Sequence, residues 1–185
     1  RMKFVFLAGG GGPRLFPVSR RKAPKQGLPL ITDKTLLQST VDRLKEHSNS
    51  SDIFISANIA QRDVILSQLP EFDQQNLILE PLKKDTAAAI GFAAVCLLAQ
   101  DSEATFVTVN SDAFIGDEDE YMRVLEAAGR AVDKYPDRPV LVGINPTYPE
   151  TGYGYIRMGK QFDRFSDGRG GYYEAFEVER FVEKP

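Results

Sequence analysis

Four consecutive glycines, Gly9, Gly10, Gly11 and Gly12, follow directly after an apolar run at residues 4–7. The apolar run predicts a buried first strand, and the glycines form the turn that leaves it. A backbone without Cβ atoms can approach a ligand closely, and its N–H groups can converge on an anion. Five cations and no acidic residue follow before Asp33; they are Arg14, Arg20, Arg21, Lys22 and Lys25. This pattern predicts a polyphosphate site, with a flexible surface loop as the alternative.

Four prolines after the glycines indicate what kind of phosphate loop this is. Pro13, Pro17, Pro24 and Pro29 prevent one regular helix from following. A Rossmann fingerprint needs a helix that begins within its glycines, and a Walker A loop closes on Gly-Lys-Ser/Thr, a triplet that this sequence lacks. We therefore expect an extended loop that wraps around the phosphates.

The composition limits the class of protein. With 185 residues, 42% hydrophobic and 26% charged, the chain can bury a core. A net charge of −3 argues against nucleic acid as a partner, and no apolar run is long enough to span a membrane. The single cysteine, Cys96, is expected to be a buried apolar residue. Since one cysteine cannot form an intrachain disulfide, we expect a cytoplasmic protein.

Apolar segments alternate with helical patterns along the chain. We expect strands near residues 3–8, 53–55, 77–79, 105–109 and 140–142, and between them helices that include residues 86–99, apolar on most faces and buried on more than one side. This alternation predicts an α/β fold with a mostly parallel sheet, whose ligands bind at the carboxyl ends of the strands. Residues 151–185 are rich in glycine and aromatic residues, and are expected to form a small antiparallel β subdomain.

The motif at residues 7–17, with Ser19-Arg20 and Pro24-Lys25-Gln26, resembles the signature of sugar-phosphate nucleotidylyltransferases, most closely the mannose-1-phosphate guanylyltransferases (GDP-mannose pyrophosphorylases). The resemblance implies a Rossmann-like three-layer sandwich of the nucleotide-diphospho-sugar transferase type. It implies one nucleotidyltransferase domain over residues 1–185, truncated at its C-terminal end, with a nucleotide-binding part at 1–150 and the start of a sugar-phosphate-binding part at 151–185. The implied nucleotide-binding residues of this loop are Leu7, Ala8, Gly9, Gly10, Gly11, Gly12, Arg14 and Lys25.

A second motif, Glu80-Pro81 followed by Lys84-Asp85-Thr86-Ala87, is similar to the family pattern Glu-Pro-x-x-Arg-Asn/Asp-Thr-Ala. The resemblance implies base recognition by Glu80, Asp85, Thr86 and Ala87. Helix capping by Asp85 or Thr86 is the structural alternative.

Asp112 follows the expected fourth strand, and the resemblance implies that it binds Mg²⁺, the cofactor of the family. A carboxylate suits this hard cation, whereas a turn-forming aspartate is the alternative.

Two further motifs, Thr151-Gly152-Tyr153-Gly154-Tyr155-Ile156 and Phe181-Val182-Glu183-Lys184-Pro185, resemble the family's sugar-phosphate site. They imply sugar-phosphate binding by Gly154, Glu183 and Lys184.

The implied reaction is nucleotidyl transfer from GTP to mannose-1-phosphate, in GDP-mannose biosynthesis. Arg14, Lys25 and Asp112 would be its catalytic residues, by holding the leaving phosphates, the reacting phosphates and the metal. Four positions depart from the family pattern, namely Pro13, Gly27, Lys84 and Ala113. A non-catalytic nucleotide-sugar-binding or regulatory module, or a pyrophosphorylase for another nucleotide and sugar, is therefore kept as the alternative. The 185-residue chain is expected to be inactive alone, and a homo-oligomer is left open.

Overall fold

The computed structural model of the protein describes residues 2–8, 34–82, 84–110 and 115–183. The chain divides into two units, Arg1–Gly116 and Asp117–Pro185, and each is considered by itself. The expected division at residue 150 stays a prediction.

Four parallel strands form the sheet of the first unit, in the order β3-β2-β1-β4. The strands are β1 (Lys3–Leu7), β2 (Ile53–Asn58), β3 (Leu77–Glu80) and β4 (Phe106–Asn110). Between successive strands come the helices α1 (Leu36–His47), α2 (Arg62–Gln68) and α3 (Asp85–Gln100). The expected α/β class with a parallel sheet and flanking helices is confirmed.

The register brings the carboxyl ends of all four strands to one edge. Leu7 lies opposite both Ser56 of β2 and Asn110 of β4, and Asn58 lies opposite Glu80. From β1 the chain moves outward through β2 to β3, and then crosses to β4 on the other side of β1. The direction of winding therefore changes between β1 and β4, which is where open parallel sheets bind ligands.

Apolar side chains cover both faces of this sheet. On one face, Val5, Phe54 and Ile78 pack with Ala93 and Leu97 of α3 in a buried cluster. On the other face, Phe4, Phe6, Ile53 and Ile55 are buried. Leu37, Val41 and Leu44 recur along α1 and are buried too, as their helical spacing predicts.

The start of α1 is fixed by a capping box. Thr35 accepts a hydrogen bond from the backbone N–H of Gln38, and the Gln38 side chain accepts one from the backbone N–H of Thr35. Two N–H groups that would otherwise lack partners are thereby satisfied.

Helix α3 corrects two expectations. Its bounds lie within a residue of the expected ones, but only Ala89, Ala93 and Leu97 are buried. The expectation of burial on more than one side is wrong, because Val95 and Leu98 are 65% and 61% exposed. Cys96 is half-buried at the edge of the α3 cluster rather than fully buried. None of the helices in the described ranges has the length and apolar character needed to cross a membrane.

The second unit contains one helix and an antiparallel ribbon. Helix α4 (Glu118–Lys134) is capped by Asp117, whose carboxylate accepts from the backbone N–H of Glu120 at 2.8 Å. Strands β5 (Gly154–Ser166) and β6 (Tyr172–Glu183) pair antiparallel, as predicted for the tail. At the end of α4, Lys134 and Tyr135 bind the carboxylate of Asp163 in β5, at 2.6 and 2.9 Å.

The predicted fifth strand at residues 140–142 is wrong. Val140, Leu141 and Val142 are 38%, 50% and 43% exposed, and none of them lies in a strand. Branched apolar residues favour extended backbone, but a strand also needs a neighbour for its hydrogen bonds. No strand in the described part of the chain pairs with this segment.

Candidate functional site

Half of the predicted site residues can be placed. The ones outside the described residues are Gly9, Gly10, Gly11, Gly12, Arg14, Lys25, Asp112 and Lys184. Their roles stay predictions. The described ones are Leu7, Ala8, Glu80, Asp85, Thr86, Ala87, Gly154 and Glu183.

Leu7 and Ala8 lead the chain to the point where the winding of the sheet changes direction. The backbone N–H of Ala8 donates to the carbonyl of Ser56 at 2.8 Å, which continues the ladder one residue beyond β1. Ala8 is 2% exposed, so its methyl group belongs to the core. The last described residue before the glycine run, Ala8, thus lies at the carboxyl edge of the sheet, next to Leu7, whose partner in β4 is Asn110.

Glu80 is the last residue of β3 and only 8% exposed. Its Oε1 atom accepts a hydrogen bond from the hydroxyl of Ser56 at 3.2 Å. A buried carboxylate is costly unless it is hydrogen-bonded, and its two oxygens can accept several bonds. Glu80 therefore keeps acceptor capacity for a ligand at this edge.

The backbone turns from Glu80 into α3 through a strained residue. Asp85 has φ = 64°, and is the one non-glycine residue with positive φ among the described ranges. Such backbone costs on the order of 1 kcal/mol and is concentrated at binding sites. The N-cap residue, Lys84, makes no side-chain hydrogen bond to the first turn. The capping alternative is therefore not seen for Asp85 or Thr86, which lie inside the helix.

The nucleotide-binding site is predicted at the carboxyl ends of β1 and β3 and the start of α3. We call this region the nucleotide edge, and define it by Ala8, Glu80 and residues 85–87. Thr86 and Ala87 are exposed. The first N–H groups of a helix carry partial positive charge and have no partners within the helix. The nucleotide edge thus offers a buried acceptor on β3 and several donors on α3, which suits a flat, polar heterocycle.

Gly154 and Glu183, which are 29 positions apart in the sequence, are register partners at one end of the ribbon. A Cβ atom at position 154 would lie 2.8 Å from Oε2 of Glu183. The carboxylate therefore lies over the bare backbone of Gly154. The predicted pairing of these two motifs in one site is compatible with this contact.

Sequence reasoning missed the side chains that hold this end of the ribbon. The hydroxyl of Tyr155 bonds to the backbone of Glu150 at 2.8 and 2.9 Å. The loop from Pro146 to Thr151 and the ring of Tyr155 line an open cavity of about 530 Å³. Sequence reasoning also missed Ser56; a serine directly after the apolar segment Ile53-Phe54-Ile55 was a signal, because buried hydroxyls need partners.

Known proteins resemble this chain over nearly its whole length. The family model described as nucleotidyl transferase matches residues 3–185. A mannose-1-phosphate guanylyltransferase of Escherichia coli (strain K12) is 40% identical over 187 residues, covering 98% of this chain and 37% of that protein. A protein of the same name from Salmonella montevideo is 38% identical over 186 residues, again covering 98% and 37%. The crystal structure of mannose-1-phosphate geranyltransferase from Thermus thermophilus matches with a TM-score of 0.77 and 29% identity, over 100% of this chain and 50% of that one.

The chain spans a little over a third of the length of these two curated relatives. Within that span the family model covers nearly every residue, from the start of β1 to the end of the sequence. The family resemblance expected from the glycine motif is confirmed by these matches. The chain belongs to the nucleotidyl transferase family.

Proposed function

We propose that the protein carrying this chain transfers a guanylyl group from GTP to mannose-1-phosphate, and releases GDP-mannose and pyrophosphate. The observation that carries the proposal is the buried carboxylate of Glu80, which stands at the nucleotide edge beside the start of α3. The relatives named mannose-1-phosphate guanylyltransferase support mannose-1-phosphate as the acceptor and a guanylyl group as the group transferred. The cytoplasm, where both substrates are soluble, is the proposed compartment.

Guanine is the base that fits an acceptor of this kind. Its N1–H and 2-amino groups are adjacent donors, and a carboxylate can accept from both at once. Adenine has an acceptor at N1, and uracil and cytosine do not present such a pair. The O6 atom of guanine is an acceptor, which the N–H groups of the first turn of α3 can satisfy. Glu80 therefore favours GTP over the other common nucleoside triphosphates.

The proposed phosphate chemistry needs no general base. A phosphate monoester has a second pKa near ~6, so the sugar phosphate is already largely ionised at neutral pH. Arg14 and Lys25 would bind the triphosphate, the first holding the leaving phosphates and the second the reacting ones. Positioning and neutralisation of charge then account for the acceleration.

Asp112 is the residue proposed to hold Mg²⁺. Asn110, the last residue of β4, lies opposite Leu7 at the carboxyl edge of the sheet. Asp112 follows Asn110 by two positions in the sequence, and the glycine run follows Leu7 by two positions. A carboxylate in this place fits the oxygen ligands that Mg²⁺ prefers. When bound, the ion would supply charge neutralisation to the phosphates.

The proposed sugar-phosphate residues are Gly154, Glu183 and Lys184. The carboxylate of Glu183 can accept hydrogen bonds from sugar hydroxyls, and the absence of a side chain at Gly154 lets this carboxylate lie close to the backbone of β5. Lys184 would pair with the phosphate.

The test is pyrophosphate release from GTP and mannose-1-phosphate with Mg²⁺, on this chain and on any longer protein that contains it. ATP, UTP and CTP replace GTP in parallel. We expect product with GTP, and we expect Arg14→Ala and Asp112→Asn to lose at least ~10²–10³ in rate. Turnover within threefold of the parent would exclude those two roles. GTP binding without product from any form would favour a non-catalytic nucleotide-sugar-binding module instead.

A further inference from the structure

Ser56 is a polar residue in the middle of a buried strand. It is 0% exposed, and its neighbours Ile55 and Ala57 are fully buried as well. A hydroxyl in such surroundings is costly unless it is hydrogen-bonded. Its described hydrogen-bond acceptor is Oε1 of Glu80, at 3.2 Å.

The same residue contacts a second part of the nucleotide edge through its backbone. The carbonyl of Ser56 accepts from the N–H of Ala8 at 2.8 Å, just before the glycine run. Side chains of paired parallel strands point to the same face, so Ser56 and Glu80 both lie on the α3 face with Phe54 and Ile78. On this face, the hydrogen-bonded pair of Ser56 and Glu80 follows the apolar cluster toward the carboxyl ends of the strands, and α3 is the next helix after β3.

The hydrogen bond limits where the carboxylate of Glu80 can be. A glutamate has three rotatable bonds, and a fixed donor in a rigid strand selects among its rotamers. A bond from Ser56 to Oε1 also leaves other acceptor positions of the carboxylate for a ligand. Two adjacent donors on a base can be met only if the carboxylate plane is held in one orientation.

We propose that Ser56 is a positioning residue, which orients Glu80 toward the N1–H and 2-amino groups of guanine and thereby sets the selectivity for this base. The inference rests on the proposed function, and concerns the same site. Ser56 does not touch the nucleotide; it acts through Glu80.

The experiment measures the dissociation constants of GTP and ITP by titration. ITP differs from GTP only by lacking the 2-amino group. The dissociation constant of ITP divided by that of GTP, which we call the GTP/ITP ratio, therefore reports on that one contact, and a higher value means a stronger preference for GTP. We expect the unmodified protein to prefer GTP by ~10-fold or more, as for hydrogen bonds to a charged group. In Ser56→Ala this preference is expected to fall at least ~3-fold, chiefly through weaker GTP binding.

Two variants separate positioning from general destabilisation. Thr40→Ala removes another buried hydroxyl, from α1, and is expected to leave the GTP/ITP ratio unchanged even if stability falls. Ser56→Cys keeps the shape of the side chain, with a somewhat larger and more weakly donating group. Its preference for GTP over ITP is expected to lie between those of the parent and Ser56→Ala. Ser56→Cys provides the measurement if Ser56→Ala does not fold.

Glu80→Gln, combined with Ser56→Ala, gives a double-mutant cycle. It is expected to reduce the GTP/ITP ratio by at least as much as Ser56→Ala, and adding Ser56→Ala to it should have little further effect. An unchanged ratio in Ser56→Ala and Ser56→Cys, in a protein that prefers GTP, would overturn the role of Ser56 alone. A parent protein that binds GTP no better than ATP would contradict the proposed function itself.

Discussion

The hydroxyl of Tyr155 is bonded twice to the backbone of Glu150: it accepts from the N–H at 2.8 Å and donates to the carbonyl at 2.9 Å. The carboxylate of Glu150 in turn accepts from the N–H of Gly152 at 2.8 Å. These bonds fold the segment before β5 back onto the first residues of the strand. The backbone of Gly154 lies directly before Tyr155 and is fixed by this arrangement.

Tyr155→Phe removes both hydrogen bonds and keeps the ring. We expect the free energy of unfolding to fall by about 1–2 kcal/mol, because a half-buried N–H and a carbonyl lose a partner. Urea denaturation gives the value. Tyr153→Phe is the control: this tyrosine is 58% exposed, and we expect a change below about 0.5 kcal/mol. Equal losses of unfolding free energy in the two variants would show that the two hydrogen bonds between Tyr155 and Glu150 contribute nothing to stability.

Gly154→Ala places a methyl group 2.8 Å from Oε2 of Glu183, so the carboxylate must move. We expect weaker binding of mannose-1-phosphate and unchanged binding of GTP, since the nucleotide edge belongs to other strands. Isothermal titration with each ligand separates the two effects. Gly143→Ala is the matched control, because a Cβ at that position meets nothing within 4 Å. Undiminished affinity for the sugar phosphate in Gly154→Ala would rule out a binding role for this carboxylate position.

Asp85 adopts φ = 64°, a conformation that glycine tolerates at no steric cost. Asp85→Gly is therefore expected to be neutral or to stabilise the fold by up to about 1 kcal/mol, whereas Asp85→Val should destabilise it by about 1–2 kcal/mol. Thermal unfolding of the two variants checks the order. If valine is tolerated as well as glycine, the positive φ at the start of α3 is not retained in solution.

The Asp163 carboxylate has a pKa of about 2, lowered from 3.8, chiefly by its hydrogen bond from Lys134 and also by those from the Arg164 backbone and Tyr135. A carboxylate whose pKa is lower in the folded state stabilises the fold above its unfolded pKa. That contribution is lost as the pH falls from about 4 toward 2. We therefore expect Asp163→Asn to be less stable than the parent near neutral pH, with the difference shrinking across this window.

Urea midpoints between pH 7 and pH 2.5 measure this difference. Asp137→Asn is the control, because the Asp137 side chain is 79% exposed and should follow the parent at every pH. A constant difference between Asp163→Asn and the parent would mean that the contact with Lys134 does not depend on the charge of Asp163.

Elements that depend on local signals could be predicted from the sequence. Acidic residues fill the first turn of α4, which Asp117 caps, and Leu37, Val41 and Leu44 recur at helical spacing on the buried face of α1. In both cases the residues that specify the structure lie within a few positions of each other, so the period of the pattern is sufficient.

Features that depend on distant partners could not be predicted in the same way. Val140, Leu141 and Val142 have the propensity of a strand, but propensity does not supply a neighbouring strand. The exposure of Val95 and Leu98 likewise depends on what packs against α3, which composition does not specify. The contact of Gly154 with Glu183 depends on the register of β5 and β6, and the hydrogen bond from Ser56 to Glu80 depends on the register of β2 and β3.

The buried stripe of helix α3 consists of Ala89, Ala93 and Leu97, and two of these residues, Ala93 and Leu97, pack against the sheet. Small residues of this kind let the helix axis approach the strands closely. The small side chains thus set the distance between helix and sheet, and this distance in turn affects how far the first amides of α3 lie from Glu80. The substitution Ala93→Leu would push the helix away from the sheet and, under the proposed function, would alter the recognition of the base without changing any atom proposed to contact it.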